Sequence, residues 1–341
     1  MTVDDLSVPS ARVVDSGAIR PAVTVSVVIC AYTMARWDDI RASVDSVLIQ
    51  TLPAHEVLLV IDHSDELRAA CIEAFGGSSV RVLENTERQG LSGARNSGVA
   101  AATGDVVAFL DDDAAADSDW IERLSAHYAD PNVAGVGGYA EPVWPDARPG
   151  WLPQEFDWVV GCSYTGQPTE LAVVRNFIGC NMSLRRSVFG EVGGFSHQIG
   201  RIGKTPLGCE ETELCIRVNQ RIDHSSLLFE PAMRVHHRVS PDRVRASYFF
   251  RRCYAEGLSK AVVSQLVGAT DGLESERSYV SRVLPAGVLR GVADAVSRRG
   301  GGTSRREALG RSAAIVGGLA TTVAGYGAGR IRLALRARRT H

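Results

Sequence analysis

The chain has 341 residues, 45% of them hydrophobic and 22% charged, which excludes an intrinsically disordered protein and suffices to bury a sizeable core. The formal net charge of −2 conceals an asymmetry: residues 282–341 hold twelve arginines against two acidic residues, about +10, and the rest of the chain carries about −12. Seven scattered cysteines with no C-x-x-C pair exclude a zinc ribbon and a disulfide framework, and predict reduced thiols acting as small core residues.

Residues 1–22 are polar and read as a loose lead-in; with no basic segment followed by an apolar run, no secretory signal is expected. Residues 23–32 form a first strand apolar enough to be covered on both faces. Ile40, Val44, Val47 and Leu48 then recur at helical spacing, and Pro53 ends that unit. Residues 56–62 give a second buried strand ending on a carboxylate, Asp62. The following helix rests on Leu67, Ala70, Cys71 and Ala74 and is closed by Gly76 and Gly77. Residues 80–84 give a third strand and residues 92–102 an alanine-rich helix. Val106 to Leu110 reads as another buried strand, and its apolar run stops at Asp111, Asp112 and Asp113.

This alternation predicts a doubly wound, mostly parallel α/β sheet with its ligand site along the carboxyl edge. Tyr32, Asp62, Arg95 and the three aspartates all fall on or beside that edge. Three adjacent carboxylates repel one another, so they make most sense around a divalent cation, a sugar diol or a metal-bound phosphate. The plain alternative is a solvated loop, with Asp117, Ser118 and Asp119 capping a helix at Trp120.

Periodicity weakens over residues 135–168, where Trp144, Trp151 and Trp158 sit among prolines; such aromatics suit sugar rings, a lipid chain or ordinary core. Farther on, Leu214, Val218 and Ile222 mark a helix stripe. Counting back by three and four places Glu210 and Glu211 on that inward stripe, with Glu213 facing away and able to pair with Arg217. His236 and His237 lie in an extended segment and point to opposite faces, so one of them can reach a site. Residues 312–329 are uncharged and glycine-rich, flanked by Arg311 and Arg330. The favoured reading is a helix on an anionic membrane surface, with Arg330, Arg332, Arg336, Arg338 and Arg339 at the head groups; its rival is a hairpin packed on the catalytic domain. Nucleic acid is not expected, because no aromatic or groove-reading element accompanies the tail arginines.

Taken in order, Val25-Ser-Val-Val-Ile-Cys-Ala-Tyr32, Val60-Ile-Asp62, Gly90-Leu-Ser-Gly-Ala-Arg-Asn-Ser-Gly98 and Gly104-Asp-Val-Val-Ala-Phe-Leu-Asp-Asp-Asp113 resemble the motifs of family 2 glycosyltransferases over residues 23–260. The resemblance implies a GT-A fold: a flexible lead over 1–22, a catalytic domain over 23–240, a closing helical segment over 241–285 and a basic helical extension over 286–341. It further implies that Asp62 meets the nucleotide base, with Ala31, Tyr32 and Thr33 lining the base pocket. Arg95 would stand near the diphosphate, and Asp111, with Asp112, near the ribose or donor sugar. Asp113 would bind a divalent metal, Mn²⁺ or Mg²⁺, joined by His237 or else His236. Asn181 would hydrogen-bond the donor sugar. Glu211 takes the place of the family's general base, with Glu210 the alternative. His63 departs from the usual acidic residue there.

The implied activity is inverting transfer from a nucleotide-diphosphate sugar, a UDP-sugar first, to a glycan or polyprenyl-linked acceptor, by a cytoplasmic protein at the inner face of the cell membrane. The segment 151–164 is similar to segments of members that use lipid-linked glycans. A nucleotidyltransferase and a non-catalytic nucleotide-sugar-binding module are the alternatives; the second lacks a G-x-G-x-x-G after the first strand.

Overall fold

The computed structural model describes residues 23–200, 207–296 and 304–339, so the lead-in over 1–22 lies outside the described residues. Strands β1 (Val25–Ala31), β2 (Glu56–Ile61), β3 (Val80–Glu84) and β4 (Val106–Asp111) are parallel in the order β3-β2-β1-β4. Helices α1 (Trp37–Leu48), α2 (Asp65–Phe75) and α3 (Leu91–Ala101) make the crossovers. The strands are apolar on both faces because both are covered. Along β1, Val25, Val27, Ile29 and Ala31 enter one core and Val28 enters the other. The start of α2 is fixed locally, since the Ser64 hydroxyl accepts from the Leu67 amide while Asp65 and Glu66 occupy the first turn.

Beyond β4 the sheet becomes mixed. The chain adds β5 (Ala114–Ala116), α4 (Trp120–His127), β6 (Val133–Val143), β7 (Ala172–Val173), β8 (Asn181–Arg185), α5 (Arg186–Val192), α6 (Glu210–Arg221) and β9 (Ser226–Arg238). The order continues β4-β8-β6-β9-β5, with β7 on β9, and β8 runs antiparallel to both neighbours. β6 escapes sequence reading because Gly135, Gly137 and Gly138 interrupt it. At Gly138 a Cβ would overlap the Met233 carbonyl, so a side chain is excluded where β6 and β9 approach.

The rest of the described residues are mainly helical: α7 (Ala246–Leu266), α8 (Ala269–Gly272), α9 (Glu274–Ser278), a π-helical turn over Tyr279–Val283, α10 (Leu284–Val296) and α11 (Arg305–Arg339). A separate core joins Leu152, Phe156, Val159 and Phe249 to Leu284, Ala314 and Ile315. In the tail, α11 packs along α7 and folds back on α10, the arrangement of the rival reading, so any membrane contact falls to the face that this packing leaves outward. The glycines that make α11 poorly hydrophobic form the seam. A Cβ on Gly257 would overlap the Thr322 carbonyl, and one on Gly325 would overlap the Tyr254 carbonyl. The opposite face still points outward, exposing Leu309, Val316, Val323, Ile331 and Leu335 beside Leu289, Val292 and Val296 of α10. Among the described residues no helix is long and apolar enough to cross a membrane.

Gly325→Val should therefore force α11 off α7 and cost about 1–3 kcal/mol, seen as a lower Tm. Gly327→Ala, with nothing within 4 Å of the added Cβ, should leave Tm unchanged or raise it slightly.

Candidate functional site

The acidic rim is built by strand register. β5 pairs antiparallel with β9, setting Ala114 opposite His237, and the Arg238 amide donates to the Asp113 carbonyl at 2.8 Å. This brings His237 Nε2 to 3.2 Å from Asp113 Oδ1, both side chains buried. His236 points the other way, its Nε2 2.9 Å from Asp117 Oδ1 at the surface. Of the two histidines, His237 is the one beside the aspartates. One ligating atom each from Asp111, Asp113 and His237 lies within 4.8 Å of the others.

Counter-ions decide how the rim ionises. Burial opposes the charge on Asp113, but His237, then Arg243 at 3.4 Å and Arg36 at 3.3 Å, outweigh it and hold the carboxyl well below the usual range. For Asp112 burial wins over Arg36, 2.5 Å away, and pushes the carboxyl up to about 7. Burial would lower His237, yet Asp113 raises it to about 10. Asp112 Oδ2 is buried without a partner. Two carboxylates and an imidazole, with one ligating atom each from Asp111, Asp113 and His237, fit a divalent cation such as Mn²⁺ or Mg²⁺.

The residues expected to meet a nucleotide base lie at the ends of β1 and β2. The Asp62 amide donates to the Ala31 carbonyl at 2.8 Å, and its carboxylate accepts from Asn85 Nδ2 at 2.7 Å and from the Gly90 amide at 3.0 Å. His63 Nδ1 stands 2.9 Å from Asp62 Oδ1. Tyr32 is 49% exposed, with the Arg36 guanidinium 5.4 Å above its ring, and Thr33 Oγ1 accepts from Ala35 to start a short 3-10 turn.

Arg95 is placed differently from the implied diphosphate contact. Only 2% exposed, it directs Nη2 to Asp111 Oδ1 at 3.1 Å and to the Gly179 carbonyl at 3.0 Å, and Nη1 to Glu210 Oε1 at 3.0 Å. Its guanidinium lies over the rings of Phe109 and Phe195. It clamps the end of β4 to the first turn of α6. Beside it Glu210 is buried, with Oε2 lacking a partner. Glu211 is partly buried, and burial first, then the neighbouring Glu210, raise its carboxyl to about 7.

Two expectations need correction. Glu213 does pair with Arg217, at 2.6 Å, but it is buried rather than outward, because Arg217 also donates to the Val192 and Gly194 carbonyls and ties α6 to the end of α5. Asn181 does not reach a sugar. It is fully buried, donating from Nδ2 to the Tyr139 and Met233 carbonyls and accepting from Trp120 Nε1 at 2.8 Å, so it braces β6, β9 and α4. Sequence reading also missed Arg36 and Arg243; their one signal was that three adjacent carboxylates demand cations from elsewhere.

A cavity of about 730 Å³ is lined at one end by Asp111, His237, Arg95, Glu210 and Glu211, and at the other by Phe156, Trp158, Tyr279, Val283 and Val323. Asp111 and His237 of the rim thus share one cavity with the glutamate pair, whereas Asp112, Asp113, Asp62 and Tyr32 lie outside its lining.

A mixed sheet with a carboxylate rim after its fourth strand and a helix carrying paired glutamates facing it has the architecture of the GT-A glycosyltransferases. The sequence profile "Glycosyl transferase family 2" matches residues 26–193. The glucosyl-dolichyl phosphate glucuronosyltransferase of Haloferax volcanii is 37% identical over 244 residues, 71% of this chain and 78% of that protein. The chain belongs to glycosyltransferase family 2 and is a glycosyltransferase. In fold it is similar to the mannosyltransferase PcManGT of Pyrobaculum calidifontis, solved with GDP-Man and Mn²⁺ (TM-score 0.55, 18% identity, 88% of this chain and 87% of that one). It is also similar to GalNAc-T7, solved with UDP, GalNAc and Mn²⁺ (TM-score 0.51, 18% identity, 77% of this chain and 57% of that one).

With Glu211 as the general base that the family resemblance implies, its raised carboxyl predicts transfer that increases as pH rises through about 7, and Glu211→Gln should abolish transfer while nucleotide binding survives. The sign for stability is opposite. The raised group favours the fold below its ordinary value of 4.5, and this contribution is lost as pH passes 7, so the Tm advantage of Glu211→Gln over wild type should grow from pH 5 to pH 8.

Proposed function

We propose that this chain transfers a sugar, with inversion and with a divalent metal, from a nucleotide-diphosphate sugar to a hydroxyl of a polyprenyl-phosphate-linked sugar. A UDP-sugar is the first candidate donor. The observation that carries this reading is that Asp111 and His237, from the metal-type cluster, line the same cavity as Glu210 and Glu211. Asp113 and His237, with Asp111, are the residues that would hold the metal, which when bound supplies positive charge against the departing diphosphate.

The chain's own residues do the rest. Glu211 accepts the proton of the acceptor hydroxyl as the oxygen attacks the anomeric carbon. Arg95 is a fixed counter-ion to Glu210, whereas burial and Glu210 raise Glu211, which favours Glu211 as the acceptor of that proton. A single base, with no nucleophilic carboxylate assigned, supports single displacement and hence inversion. Ala31, Tyr32, Thr33 and Asp62 are the proposed base contacts. The apolar far end of the cavity supports a lipid-bearing acceptor, as does the relative whose name gives glucosyl-dolichyl phosphate. The outward apolar face of α10 and α11, with Arg330, Arg332, Arg336 and Arg338 exposed near the end of α11, supports docking on the inner, anionic face of the cell membrane.

A panel of nucleotide sugars, UDP-glucuronate included, assayed with Mn²⁺ should release a nucleoside diphosphate; pyrophosphate release would instead identify a nucleotidyltransferase. Asp113→Asn and His237→Gln should each weaken Mn²⁺ binding at least tenfold by calorimetry. The full chain should float with anionic liposomes, and Val316→Glu with Ile331→Glu should leave it in the pellet fraction. Truncation before α11 is the poorer experiment, because Gly318 packs on Phe156 and Phe249 and its loss would open the core.

A further inference from the structure

Between the glutamate pair and the apolar end, the cavity wall carries three cations, Arg175, Arg252 and Lys260. All three are largely buried, with side chains 9%, 13% and 11% exposed. They face two carboxylates. Arg252 Nη1 is 2.8 Å from Glu256 Oε2, Lys260 Nζ is 2.5 Å from Glu276 Oε1 and 3.6 Å from Glu256 Oε1, and Arg175 Nη1 is 2.8 Å from Glu276 Oε2. One positive charge is left over in this wall. At the catalytic end the excess is of the other sign, with Asp111, Asp112, Asp113, Glu210 and Glu211 set against Arg36, Arg95, Arg243 and His237. Burying three cations with two anions is a poor device for stability, since a matched pair or apolar side chains would serve better. It is a good device for receiving one more anion.

The position of these cations is as specific as their charge. Cys209, which precedes the first residue of α6, lies with Sγ 3.1 Å from Glu256 Oε1, and the Gly208 amide donates to Ser259 Oγ at 3.2 Å. A Cβ on Gly208 would stand 3.1 Å from Arg252 Nη2. The cationic wall therefore abuts the residues leading into Glu210 and Glu211. On its other side the Arg252 guanidinium lies 5.7 Å over the Trp158 ring, where the apolar lining begins. That lining reaches the surface, because Val280 and Val323 both line the cavity and are 38% and 62% exposed. Val323 belongs to the outward apolar face of α11. Proton acceptor, cationic wall, apolar trench and apolar exit thus follow one another along a single cavity.

We propose that Arg252 and Lys260, backed by Arg175, bind the phosphate of a polyprenyl-phosphate acceptor, and that its chain leaves past Tyr279 and Val283 across Val323 onto the hairpin surface. The inference rests on the acceptor class proposed above and adds the residues that select it.

Geranyl phosphate, a C10 prenyl phosphate lacking any sugar, is the probe, titrated into the full chain without donor and followed by calorimetry and by Trp158-dependent fluorescence. Wild type should bind it at least tenfold more tightly than geraniol or inorganic phosphate. Arg252→Gln and Lys260→Met should each remove most of that preference, and Lys260→Arg should keep it. Val323→Glu, at an exposed position that the fold does not need, should weaken geranyl phosphate at least fivefold; it stands as the test should the buried variants unfold. Equal binding of geranyl phosphate and geraniol, or unchanged binding in Val323→Glu and in the folded variants, overturns the proposal. Its failure is separable from failure of the proposed function. Sugar transfer to a prenyl-linked acceptor with indifferent Arg252 and Lys260 variants would sink the subsite alone. Phosphate-selective binding without nucleoside diphosphate release from any donor would sink the activity alone.

Discussion

The buried guanidinium of Arg95 is the interaction on which the rest of the site depends. A cation with 2% exposure is tolerable only when its donors are met, and here they are divided among Asp111 at the end of β4, Glu210 in the first turn of α6 and the Gly179 carbonyl ahead of β8. Without a charge between them Asp111 and Glu210 would repel, and the sheet edge and the base helix would have no reason to stand close. The clamp also separates two adjacent glutamates chemically. Glu210 has a fixed counter-charge, whereas Glu211 is raised by burial and by Glu210 itself.

The same logic governs the rim. Asp111, Asp112 and Asp113 are tolerated because Arg95, Arg36, Arg243 and His237 converge on them from four separate segments. The division is unequal: Asp113 receives three of these partners and stays ionised, while Asp112 receives Arg36 alone and does not match it. Fixed charges held in place before a ligand arrives need little reorganisation when new charge develops.

Much of the fold was legible because β1, β2 and β4 are unbroken apolar runs and β3 has clear turn signals on both sides. Apolar spacing made α2 and α6 readable, with Gly76 and Gly77 closing the first. β8 was not legible, because Asn181 and Ser183 are polar residues buried through bonds to Trp120 and Tyr128, and no local pattern announces such partners. In α11 the glycines lowered apparent hydrophobicity, and their packing role depends on Gly257 and Tyr254 of a distant helix. At the site, motif order pointed to Asp111, Asp113 and the histidine pair, of which His237 joins the aspartates, and to Glu210 and Glu211, which line the same cavity as Asp111 and His237. The outward placing of Glu213 failed because helical counting sees one helix at a time, and the end of α5 covers that face. Arg36 and Arg243 are single arginines in irregular chain, where charge alone does not distinguish a rim counter-ion from a solvated side chain.

The ladder between β5 and β9 sets Ala114 opposite His237 and Ala115 opposite His236, so the choice of metal-type ligand is a matter of strand frame. Slipping β9 by one residue would turn His237 to solvent and bring His236 inward. Upstream, β6 and β9 pair Gly138 with Glu230 and Tyr139 with Arg234, a bulge that takes up several extra residues in β9. Length changes among descendants of this chain can therefore collect in that bulge while the histidine keeps its frame, and relatives should vary most in length where the ladder already breaks.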